Sequence, residues 1–216
     1  MPRTETTVRE LYQFDELDEK AKDRARDWLR ELKAQDFDHE YIYEDAATIC
    51  TILGITLSTH EVKLMSGQTR QKVNIWYSGF SSQGDGACFE GSYRYQAKSV
   101  RAIKAHAPTD TELHRIAREL YELQRAHGYK LEASITHRGY YSHSHSTTVE
   151  VLRTDDREVH SEVQEAIAQL LRDLMDWIYD GLRKEYDWSL SDACIDEDIR
   201  GNEYEFTQSG ARACAC

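Results

Sequence analysis

Only two prolines, Pro2 and Pro108, occur in 216 residues, which excludes proline-rich linkers and a disordered tether. No apolar run reaches the ~18 residues that span a bilayer. The opening stretch MPRTETTVRELYQF lacks the apolar core of a signal peptide. A cytoplasmic protein with no membrane partner is therefore expected. Cysteine is sparse and scattered: Cys50, Cys88, Cys194, Cys214 and Cys216. An odd, dispersed set makes a poor disulfide framework. The terminal Cys-x-Cys falls short of the about four ligands that zinc requires. Walker and dinucleotide fingerprints, a helix-turn-helix and internal repeats are all missing. Neither a metal nor a cofactor is expected.

Charge is abundant: 39 acidic against 27 basic residues, a net of −12. Acids dominate residues 1–50 and 155–205, while bases outnumber acids in the middle, 51–154. Acidic ends repel nucleic acid and steer basic partners.

Periodicity then divides the chain. Thr6–Phe14 reads as a short strand. A helix capped at Asp15 or Asp18 runs to about Lys33, with Leu17, Ala21, Ala25, Trp28 and Leu32 as its stripe. A second, from about Asp38 to Leu53, stops at Gly54. HEVKLM and KVNIWYSGF read as strands paired around SGQT, and ACFEGSYRYQ as a third. A short helix Ser99–His106 precedes one capped at Thr109 or Asp110, with Leu113, Ile116, Leu120 and Leu123 facing inward. YKLEASITHR and STTVEVLR form a hairpin. The longest helix runs from Asp155 or Asp156 to about Tyr186, a shorter one covers Ser191–Ile199, and NEYEFT supplies an edge strand. Short turns between strands, with helices grouped outside them, define an α+β class: an antiparallel sheet of about five to seven strands with amphipathic helices packed on it. The expected organisation is one domain over 1–210 and a frayed tail over 211–216.

Two polar stretches carry chemistry. In YSGFSSQGDGACFEGSYRY, Gly79, Gly84 and Gly86 permit unusual backbone and close approach, while Ser81, Ser82, Gln83, Asp85 and Cys88 offer polar groups. The plain alternative is a wide β-connection with a tight Asp-Gly turn. In THRGYYSHSHS, His137, Tyr141, His143 and His145 cluster. Three imidazoles suit a metal, and His143 could act as base for Cys88 with Asp85 orienting it. Loop histidines bonded to backbone are the plainer account. Aromatics such as Trp76, Phe80, Tyr93 and Tyr95 also gather in the basic middle, near Arg94, Lys98, Arg101 and Arg138. They could stack bases, but no known recognition motif accompanies them, so direct nucleic-acid binding is not expected.

YSGFSSQGDGACFEGSYRY, HRGYYSHSHS, FDELDEKAKDRARDWLRE and NEYEFT together resemble a family of phage and prophage proteins commonly labelled "antitoxin of toxin-antitoxin stability system". The likeness covers roughly Leu11 to Gly210. It departs at His145-Ser146, where the family tends to have Gly and Cys, and at the end, GARACAC. The resemblance implies an accessory protein that works by binding a toxin or a host-defence effector, and it assigns no site residues. An acidic helical face, Asp173, Asp176, Asp180, Asp187, Asp196, Glu197 and Asp198, would then cover a basic groove on the partner. The rival expectation is an enzyme or ligand binder acting on a nucleotide or other phosphorylated compound, built on Asp85, Cys88, His137 and His143.

Overall fold

The computed structural model describes residues 9–213. Strand β1 (Tyr12–Gln13) ends in a single 3-10 turn at Phe14–Glu16. Of the longer strand expected here, residues 6–8 lie outside the described residues. Helix α1 (Glu19–Gln35) is capped by Asp18, whose carboxylate accepts the Ala21 N–H at 2.8 Å. Its buried stripe is Ala21, Ala25 and Leu29, while Leu32 is half exposed. Helix α2 (Glu40–Leu53) stops at Gly54, φ 88. Strands β2 (Ile55–Leu57), β3 (Thr59–Lys63), β4 (Thr69–Val73), β5 (Ile75–Tyr77), β6 (Ala87–Phe89) and β7 (Gly91–Arg94) follow.

Helix α3 (Ser99–His106) leads to α4 (Thr111–Ala126), where the Asp110 carboxylate accepts the Leu113 N–H at 2.9 Å. The hairpin strands are β8 (Leu131–His137) and β9 (Thr147–Arg153). Helix α5 (Ser161–Ser189) starts later than expected, because Asp155 is bound by Arg153 and Lys130 and Asp156 sits at φ 58 in the turn. Helix α6 (Asp192–Gly201) is capped by Ser191, and β10 (Glu205–Phe206) closes the described chain. Of the expected tail, Arg212 bridges Phe206, and 214–216, with the Cys-x-Cys, lie outside the described residues. Among the described residues no helix is long and apolar enough to cross a membrane.

The fold is α+β, and all its strand pairings are antiparallel. Contacts divide the chain into two compact units, His39–Arg183 and the residues before and after it. In the larger unit the main sheet has order β2-β7-β8-β9, and β3-β4 and β5-β6 form separate two-stranded ribbons. Alternation buries one sheet face through Ile55, Tyr93, Leu131, Ala133, Ile135 and Val151. Helices supply the rest of that core, including Ile49, Ile103, Ile116, Leu120, Leu171 and Ile178. Gln124, not Leu123, is buried on α4. Its amide donates to Leu131 O (2.8 Å) and accepts from Leu131 N–H (3.2 Å), so its polar atoms are satisfied.

The sheet and the two ribbons meet at three residues evenly spaced along the chain. Ser58 N–H donates to Glu90 O (2.9 Å), Glu90 N–H to Asn74 O (3.0 Å), and Asn74 N–H to Ser58 O (2.8 Å). Flanking this closed triangle are the terminal pairs Leu57↔Gly91, Thr59↔Val73 and Ile75↔Phe89. Side chains reinforce it. His60 Nδ1–H donates to Asn74 Oδ1 (2.8 Å), Asn74 Nδ2 donates to Glu90 Oε2 (2.9 Å), and His137 N–H donates to Glu90 Oε1 (2.9 Å).

The smaller unit is held by Phe14, Leu17, Ala21, Ala25, Leu29, Ile195, Ile199 and Phe206, with Trp28 and Tyr204 against them. Beside this core Arg26 grips Asp196 at 2.7 and 2.9 Å. Those bonds hold the Asp196 carboxyl below its ordinary value. A lowered carboxyl stabilises the fold above the unfolded value of about 3.9 and ceases to do so as pH falls through the folded value. Asp196→Asn is expected to cost about 1–2 kcal/mol at pH 7. It should also flatten the loss of stability between neutral and acid pH, read by urea unfolding. An unchanged pH slope would contradict the assignment.

Candidate functional site

The glycine-rich loop leaves the β5–β6 ribbon where Ser78 N–H bonds Gly86 O at 3.2 Å. Gly79 (φ 110) and Gly84 (φ 101) hold backbone shapes that favour glycine. Asp85 Oδ2 accepts N–H groups from Ser81 (2.7 Å) and Ser82 (2.6 Å), so this carboxylate braces its own loop. Phe80 stacks on Tyr77 (5.4 Å) and on Tyr179 of α5 (5.7 Å), and Tyr179 donates its hydroxyl to Gly79 O at 3.1 Å. Burial raises the Tyr179 hydroxyl, and the negative charges of Asp85 and Asp180 add to the rise. Loop and helix therefore bring Asp85 and Asp180 near one phenol.

The loop also meets the histidine hairpin. A Cβ on Gly86 would lie 2.4 Å from the Cβ of His143, an approach that only glycine allows. Ser78 Oγ donates to Ser142 O at 3.3 Å. The two polar stretches thus converge, but their reactive groups are occupied. Cys88 is fully buried, and burial pushes its thiol up to about 11. A thiol in that state supplies little nucleophilic thiolate at neutral pH. His143 Nδ1 accepts the His145 N–H at 3.1 Å as the cap of a 3-10 turn, and a His137 ring N–H donates to Tyr141 O at 2.9 Å. Among the described residues no group of three or more His, Cys, Asp or Glu is arranged to hold a metal. Gln83 and Tyr141 are exposed.

The seven acidic candidates divide between the units. Asp173, Asp176 and Asp180 belong to the larger; Asp187, Asp196, Glu197 and Asp198 belong to the smaller. Asp173 is tied to Arg115, Asp196 to Arg26 and Asp198 to Lys33. Asp176, Asp180, Asp187 and Glu197 are exposed and make no ion pair among the described residues.

Sequence reading missed the group around Asn74. The Trp76 ring packs against those of His60 (6.4 Å) and His137 (5.6 Å). His60 and Trp76 also line a pocket of about 420 Å³ with His39, Tyr43, Tyr77 and Lys72. The bond to Asn74 fixes the proton of His60 on Nδ1 and leaves Nε2 as an acceptor. Local sequence gives little signal for this group: Ser58 is followed by Thr59 and His60, and Glu90 by Gly91, so only Asn74 breaks an apolar pair, Val73 and Ile75.

Over residues 39–192 the chain matches the model of a family described as a domain of unknown function (DUF8835), and it belongs to that family. The match starts at the first residue of the larger unit. No curated protein and no solved structure matches the chain.

Thiol labelling resolved by mass checks the chemistry. In reduced native protein Cys50 and Cys88 are expected to stay unmodified until denaturant is added, whereas partly exposed Cys194 reacts. Fast native modification of Cys88 would show an accessible, reactive thiol and contradict its burial.

Proposed function

We propose that this chain is a non-catalytic interaction protein of antitoxin or host-defence-inhibitor type, of the kind phages and prophages carry. It acts by neutralising a partner that has a basic surface. The observation that carries this reading is the docking of the glycine-rich loop on α5 through Phe80 and Tyr179. Exposed Ser81, Ser82 and Gln83 accompany Asp176 and Asp180, which flank Tyr179 on its helix. Unpaired carboxylates on a rigid helix raise the encounter rate with a basic partner and fix its register. Neighbouring loop hydroxyls and amides supply short-range hydrogen bonds once the surfaces meet. The braced Asp85 makes the loop a fixed shape, which lowers the ordering cost of association.

A second reading has its own support. The pocket of about 420 Å³ falls in the size range of small-ligand sites, and His60 is held there in one tautomer by Asn74. A planar ligand with an N–H or O–H donor directed at Nε2 would suit it.

Tagged protein drawn from its native host separates the two. The interaction reading predicts a near-stoichiometric basic protein partner. Asp176→Lys with Asp180→Lys should slow its association at least tenfold and weaken its salt dependence, with folding unchanged by circular dichroism. Equal association of the charge-reversed protein would contradict that reading. A bound small molecule released on denaturation, lost in His60→Ala and with no protein partner, would replace it with the second.

A further inference from the structure

Helix α3 begins after Lys98 (φ 66) with no capping side chain and no acid in its first turn. Ser99, its first residue, is 8 % exposed, and its hydroxyl has no hydrogen-bond partner among the described residues. Ser99 lines a cleft of about 540 Å³ formed with α4. Lys98, Arg101, Lys104 and Arg118 line the same cleft. All four are exposed, and none is in an ion pair among the described residues. Glu122, the acid on the wall, is held by Arg125 at 2.6 Å. Arg26, Arg30, Arg115, Arg153 and Arg200 each have a carboxylate partner, whereas Lys20, Lys63, Arg138, Arg183 and Lys184 have none among the described residues. What sets the cleft apart is that four such cations line it together. Four unneutralised cations on one cleft, in a chain of net charge −12, need a separate explanation. Like charges so gathered repel one another, and a bound anion relieves that repulsion.

The wall continues into aromatic surface. Tyr121 lines the cleft, Tyr129 lies 6.3 Å from it and is 42 % exposed, and Tyr95 lies 4.4 Å from Tyr129. Cations beside a short row of tyrosines are what an unpaired strand requires: charge for phosphates and rings for unstacked bases. We infer that this cleft binds the phosphate backbone of single-stranded nucleic acid. The Val100 and Arg101 amides of the first turn of α3, which have no partner among the described residues, and the Ser99 hydroxyl receive one phosphate, and the four side chains neutralise its neighbours. The tyrosines take the bases that follow. This runs against the expectation drawn from the acidic totals, because the relevant charge is local. It uses none of the residues of the proposed partner-binding face, so either can fail without the other.

Fluorescence anisotropy of the full chain with a labelled oligothymidylate of about 15 nucleotides tests the inference. Binding is expected at low salt and should weaken steeply as salt rises. Arg101→Glu with Arg118→Glu is expected to reduce affinity at least tenfold and to lower the salt slope. The milder Arg101→Gln with Arg118→Gln should give an intermediate loss, which guards against misfolding of the reversed protein. Tyr129→Ala should weaken binding several-fold without changing the salt slope. No binding at about 50 mM salt, or unchanged binding by both double variants, overturns the inference. Equal displacement by polyglutamate or inorganic triphosphate also overturns it, because the cleft would then be a general anion site.

Discussion

A closed ring of three backbone hydrogen bonds, linking Ser58, Asn74 and Glu90, joins the main sheet to both ribbons of the larger unit. Each residue ends one strand pair and begins the next, so its N–H and C=O cannot be satisfied within either ladder. The ring supplies those missing partners. The Asn74 and Glu90 side chains complete it, and through them the positions of His60 and His137 are set. Asn74 is the buried member, and leaving its polar groups unpaired would cost about 1–3 kcal/mol, a large part of the stability of an ordinary domain.

Consequences spread outward from this ring. The β5–β6 ribbon projects the glycine-rich loop, and Phe80 and Tyr179 lock that loop to α5. On another side the β3–β4 ribbon faces α2 across the pocket that holds His60 and Trp76, and Lys72 bridges to Glu40 at 2.8 Å. The loop that looked most like a reaction site has instead spent its polar groups on its own shape. Asp85 satisfies two backbone amides, and Cys88 lies in the core. What it leaves exposed is Ser81, Ser82 and Gln83.

Helices were legible because periodicity and caps are local. Asp18, Asp110 and Ser191 stand where their helices begin, and Ser99–His106 has the expected ends. Errors came where packing or a side-chain partner overrode the expected pattern. Leu32 lost its place in the α1 stripe to Leu29, Leu123 yielded to a doubly bonded Gln124, and Asp155 went to Arg153 instead of capping α5. The antiparallel α+β class was readable from the short turns. The division of the strands into a four-stranded sheet and separate ribbons was not, since single polar residues at 58, 74 and 90 resemble ordinary strand positions. Convergence of the two polar stretches was foreseeable only as a possibility; the contact of Gly86 with His143 depends on long-range packing. Pairing state was wholly hidden. Composition counts Asp173 and Asp176 alike, yet one is bound by Arg115 and the other is not.

Amide hydrogen exchange on the intact protein tests the central constraint most directly. The N–H groups of Ser58, Asn74 and Glu90 should exchange as slowly as those of the paired β8–β9 strands, and Asn74→Ala should speed all three together. Exchange of these amides as fast as at the exposed turn of the β3–β4 ribbon, or acceleration of Asn74's neighbours alone, would show that the three pairings are held independently.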